Sequence, residues 1–133
     1  MTSESAARIV ERRGEPAFID LLRKADAEFE DAAFEPALAD QLRDEPRLTE
    51  LWVMWSGDQR WTPSAYVKGK ETGWYDSGYQ HVRVHPDAAD AVADFVHRMT
   101  AWLARREVIG VDRRPKTRAS AASGSRRRRD LEI

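Results

Sequence analysis

None of the 133 residues is a cysteine, which removes disulfide frameworks, thiolate zinc sites and cysteine nucleophiles together. No eighteen apolar residues occur in succession, so no segment is expected to cross a membrane as a helix. The opening stretch MTSESAARIVERRGEP lacks the apolar run of a secretory signal, and a cytoplasmic location is the expectation. Neither a Gly-x-Ser-x-Gly elbow nor a phosphate-binding loop is present. Lysine is scarce as well, 4 against 18 arginines, which fits a GC-rich coding sequence and says nothing of function.

What is present divides unevenly. Residues 1–108 hold 14 Lys/Arg against 20 Asp/Glu, a balance of −6, whereas residues 109–133 hold 8 against 3, a balance of +5. The segment 109–133 has few large apolar side chains, a small-residue linker at 119–125 and the run Arg126–Arg129. Such a segment cannot bury enough surface to offset its ordering entropy, so a disordered basic tail is expected after one α+β domain spanning 1–108.

Within that domain the N-terminal third reads as helices. One runs from about Ser5 to Arg13 and stops at Gly14. A second starts at Pro16 and carries Phe18, Leu21, Leu22, Ala25 and Phe29 at spacings of three and four. A third opens at Pro36 with Leu38 and Leu42 and ends at Asp44–Pro46. Between Leu51 and His85, aromatic and β-branched residues rise. The pattern there predicts a three-stranded antiparallel sheet of Leu51–Ser56, Ser64–Lys70 and Tyr79–His85, joined by loops SGDQRWTP and ETGWYDSG. For the first of these, Leu48, Leu51, Trp52 and Trp55 also fit helical spacing behind Pro46. A long helix, Asp87–Arg106, closes the domain, with Val92, Phe95, Val96, Met99, Trp102 and Leu103 on one face.

Three of the five tryptophans, Trp52, Trp55 and Trp61, fall within ten residues. Alternation on a strand predicts Trp52 in the core and Trp55 paired with Trp61 across a hairpin, leaving Trp61 and Trp74 the more exposed. If the last helix covers Val82 and Val84, the opposite sheet face displays Trp52, Tyr66, Lys68, Lys70, Tyr79, His81, Arg83 and His85. Such an aromatic and basic surface suits base stacking and phosphate binding. The competing expectation is that the N-terminal helices cover this second face and make it core.

Candidate chemistry is sparse. His81 and His85, four apart on a strand, stand about 13 Å apart, too far to share an ion. Asp90, Asp94 and His97 share one helix face, which reads as solvated charge rather than a metal site. No cofactor and no metal are expected. The arginine run is the strongest signal, a mobile polycation able to bind phosphate without sequence preference. The candidate contact residues are Arg126, Arg127, Arg128, Arg129, Arg113, Arg114, Lys116 and Arg118, with Lys68, Lys70, Tyr79, His81, Arg83 and His85 on the sheet. The expected role is a non-enzymatic adaptor or accessory protein binding nucleic acid or an acidic protein surface, without a membrane, and open to homo-oligomer formation. The alternatives are a structural subunit of a viral or other nucleoprotein assembly, and a hydrolase whose site is assembled in space.

Overall fold

The computed structural model describes residues 1–59 and 62–110. The expectations for Trp61 and for the tail residues Arg113, Arg114, Lys116, Arg118 and Arg126–Arg129 lie outside the described residues. The element order is α1 (Ser3–Ala7), α2 (Phe18–Ala25), α3 (Phe34–Asp44), α4 (Pro46–Asp58), β1 (Ser64–Lys68), β2 (Glu71–Tyr75), β3 (Tyr79–Val84) and α5 (Ala88–Arg105), with single 3-10 segments at Ile9–Arg12 and Asp26–Glu30. This is a mixed α+β fold whose three strands are antiparallel in the order β1-β2-β3.

Local chemistry sets the element ends. Thr2 caps α1 by accepting from the Ser5 amide at 3.0 Å, and Gly14, at φ +90, turns the chain toward α2. Asp87 caps α5 by accepting from the Asp90 amide at 2.9 Å. The same carboxylate pairs with Arg43 of α3, which holds its pKa below the usual range, the arginine bond being the larger cause and the Asp90 amide the next. Arg106 ends α5 in the left-handed region, with its N–H on the Trp102 carbonyl.

The segment 51–56, expected as a strand, is the middle of α4. Pro46 occupies its first turn, where a missing N–H costs nothing, and Leu48, Trp52 and Ser56 bury one face. Trp52 is wholly buried while Met54 is 59% exposed, although alternation on a strand would place both on one face. The ETGWYDSG loop is corrected in turn, since Glu71–Tyr75 is the central strand. The Lys68↔Glu71 pair leaves only Gly69 and Lys70 as the turn, with Gly69 at φ +58, so β1 ends before Lys70.

Helix α5 is the hub, packing against α2, α3 and α4 as well as β1 and β2. Its burial is therefore nearly all round, including Ala89, Ala91, Ala93 and Ala101, whose small side chains admit close neighbours. Trp52 and Trp55 of α4 meet Phe95 at ring-centroid distances of 6.4 and 6.0 Å, and Phe18 stands edge-on to Trp55 at 5.1 Å. The Trp52 indole donates to the Ala7 carbonyl at 3.0 Å, tying α1 to this core. Trp74 is buried rather than exposed, tilted against Trp102 at 5.8 Å. Ile109 is buried and Gly110 lies against the Arg98 guanidinium, so the body reaches beyond residue 108.

Candidate binding face and the charged junction beneath it

The sheet has two unlike faces. Cross-strand pairs Ala65↔Trp74 and Val67↔Thr72 point toward α5, and Tyr66↔Gly73 and Lys68↔Glu71 point away. In β3 the simple alternation expected for Tyr79–His85 is broken by a bulge. Between the pairs Trp74↔Gln80 and Thr72↔Arg83, Gly73 alone faces both His81 and Val82, and His81 takes φ +53. The expected assignment is thereby reversed. Arg83 and His85 turn under the sheet toward α5, and Val82 and Val84 are left exposed, Val84 at 74%.

Beneath the sheet, α5 presents Asp94 and Arg98, one turn apart and 1% and 0% exposed. Asp94 Oδ2 accepts from Arg98 Nε at 3.0 Å and from the Thr72 hydroxyl at 2.6 Å, while Oδ1 accepts from Arg83 Nη1 at 3.2 Å. His85 Nε2 lies 2.9 Å from Thr72 Oγ1 and 3.2 Å from Asp94 Oδ2. Arg98 Nη1 donates to the carbonyl of His81, the bulged residue, at 2.9 Å. Burial weighs against the charge on Arg98 and Asp94 works for it. Half-buried His81 has its pKa lowered, first by burial and then by Arg98. The expectation that Asp90, Asp94 and His97 form one solvated face is corrected here. Asp90 pairs with Arg43, Asp94 is buried under the sheet, and His97 pairs with Glu35 while stacking on Phe29. Among the described residues no group of three or more acidic or histidine side chains is placed to hold an ion.

Thr72, His85 and Asp94 resemble the members of a nucleophile–base–acid relay in type but not in arrangement. The same His85 nitrogen faces both the hydroxyl and the carboxylate, whereas a relay needs one ring nitrogen for each. The Thr72 hydroxyl already spends its proton on Asp94 and is wholly buried. The cluster joins sheet to helix.

On the outer face no helix lies over the sheet among the described residues, so the N-terminal helices do not cover it as one expectation held. They pack on α5 from its far side. Gly73 makes the face possible, because a Cβ there would stand 2.7 Å from the Tyr66 ring, which lies flat across β2. Tyr66 donates to Glu71 at 2.6 Å, and its pKa is raised by burial first and this carboxylate second. Tyr79, 59% exposed, meets Tyr66 and Tyr75 edge-on, each at 5.2 Å. The Lys68 ammonium sits 4.3 Å from the Tyr79 ring centre and 5.5 Å from that of Tyr66.

Of the sheet residues singled out from sequence, Lys68 and Tyr79 therefore share the open face, and Lys70 stands in the adjoining turn. His81, Arg83 and His85 belong to the junction instead, and Trp52 to the helical core. Tyr75, Val82 and Val84 are exposed members of the face that the sequence reading missed; of the junction it missed Arg98 and placed Asp94 on a solvated helix face. No family model, curated protein or solved structure matches the chain.

Proposed function

We propose that the protein is an accessory factor that binds single-stranded nucleic acid without sequence preference, the tyrosine face stacking bases and the basic tail supplying attraction to phosphate. The observation that carries this reading is the pair of exposed rings, Tyr75 and Tyr79, on a sheet face that no helix covers among the described residues, with an ammonium group over one of them. Aromatic rings on an antiparallel sheet suit unstacked bases, because every base offers a π-face. Lys68 and Lys70 add two cations at the rim. The acidic balance of residues 1–108 opposes phosphate, so the long-range attraction in this reading falls to Arg113, Arg114, Lys116, Arg118 and Arg126–Arg129.

The test is fluorescence anisotropy of labelled single-stranded DNA, single-stranded RNA and duplex DNA with the full chain, at low and moderate salt. Single strands are expected to bind in preference to duplex. Tyr79→Ala should weaken single-strand binding by about 5- to 150-fold, the range for loss of one stacking ring. Changing Arg126–Arg129 to serine should flatten the salt dependence. Unchanged affinity in Tyr79→Ala would remove the sheet face from the reading. Absence of binding to every probe, with a tail-dependent change in particle size by light scattering, would replace it with an assembly subunit.

A further inference from the structure

The two edges of the sheet differ in a way that the nucleic-acid reading does not use. On the outer edge of β1, the Val67 amide donates to Ser56 Oγ at 3.0 Å and the Ala65 carbonyl accepts from Gln59 Nε2 at 3.2 Å. The end of α4 thus occupies that edge. On β3 the His85 amide donates to the Lys70 carbonyl at 2.8 Å, which fixes the alternation of the ladder. Val84 pairs with Glu71, one step along, so its own N–H and C=O point away from β2. Among the described residues neither group has a hydrogen-bond partner, and the valine side chain is largely exposed. An edge of this kind is a template for one more strand.

The charges beside that edge say what the strand carries. Arg83 and Arg98 share one carboxylate, Asp94, so the two guanidinium groups outnumber the carboxylate between them. Arg83 is half exposed, and of its donors only Nη1 is engaged among the described residues. A strand laid along β3 sets an apolar side chain beside Val84 on the open face, and its next residue projects on the other side, beside Arg83. We infer that the β3 edge takes an extended segment of a protein partner in which apolar residues alternate with acidic ones. A second copy of β3 does not fit this chemistry, because Tyr79–Val84 and the following His85 bring arginine and histidine but no carboxylate. The arginine-rich residues 113–129 would meet Arg83 with like charge.

The probes are two synthetic peptides, one of alternating valine and glutamate and one of alternating valine and lysine, titrated into the ¹⁵N-labelled full chain. The valine–glutamate peptide is expected to shift the amide signals of Val82 to His85 and to slow hydrogen exchange at Val84. The valine–lysine peptide should bind at least about ten-fold more weakly. Val84→Pro should remove binding, since proline deletes the outward N–H without touching the ladder. Arg83→Gln should keep the fold and lose the preference for glutamate. Equal binding of the two peptides, or shifts confined to Tyr75 and Tyr79, would overturn the inference. So would a protected Val84 amide in a peptide-free dimer, which would give the edge to a second copy. Nucleic-acid affinity is read separately, so either proposal can fail while the other stands.

Discussion

Helix α5 meets its neighbours on two flanks built from different materials. On one, Phe95 lies among Trp52, Trp55 and the N-terminal helices, an apolar contact rimmed by the pairs Arg43–Asp87, Arg43–Asp90 and Glu35–His97. On the other, Asp94 and Arg98 meet Thr72, Arg83, His85 and the His81 carbonyl. The apolar flank contributes area removed from water, about 25 cal/mol per Å², and is indifferent to small slides. The charged flank gains little net free energy, because desolvation offsets attraction. Its directed bonds nevertheless set which sheet residues lie over which helix turn. Burial holds the helix down, and the ion pair fixes where the sheet sits on it.

The comparison is tested hardest at Asp94. Asp94→Ala leaves Arg98 buried without its partner and should cost about 3–5 kcal/mol in urea unfolding. The joint replacement Asp94→Leu/Arg98→Met should recover most of that loss while loosening the sheet, seen as faster amide exchange in β2. A loss below about 1 kcal/mol in the single variant would break the distinction between the flanks. Next in size is Trp52→Phe, which keeps an aromatic ring but deletes the bond to Ala7 and part of the packed volume. A cost of about 1.5–3 kcal/mol is expected, with no change in β2 exchange. Smallest is His81→Gly. Relief of the left-handed backbone is worth about 1 kcal/mol, partly offset by glycine's greater chain entropy, for a net gain near 0.5 kcal/mol. Folding lowers the pKa of His81, so the unfolded chain takes up its proton more readily and this residue's contribution falls as pH drops below about 6.5. The advantage of the glycine variant in denaturant midpoint should therefore widen between pH 7.5 and pH 5.5, and a constant or shrinking difference would contradict it.

The sequence reading recovered the fold class, the N-terminal helices and α5, because caps and three-four spacing are local signals. The two misassigned segments fail for local reasons too. The segment at Leu51–Ser56 is apolar on nearly every side and so fits the strand period as well as the helical spacing of Leu48, Leu51, Trp52 and Trp55, and the burial of Trp52 against exposed Met54 decides for the helix behind Pro46. Glu71–Tyr75 hid behind its glycine, which reads as loop chemistry until Tyr66 is seen lying across it. The candidate face was half legible. Tyr66, Lys68 and Tyr79 follow simple alternation, but one extra residue at the His81 bulge inverts everything after it. Asp94 and Arg98 were invisible as a pair, since their four-residue spacing is that of any surface ion pair until a sheet is placed on top.

The hydrogen bonds from Ser56 and Gln59 to β1 bear on stoichiometry. A sheet open on both sides can be extended copy after copy, which is how strand pairing runs on into fibres. With one side closed by its own helix, the sheet leaves β3 as its open edge among the described residues. Strand pairing of the kind inferred for β3 therefore extends this sheet from one side only. Ser56→Ala combined with Gln59→Ala would remove the side-chain hydrogen bonds that close the β1 edge.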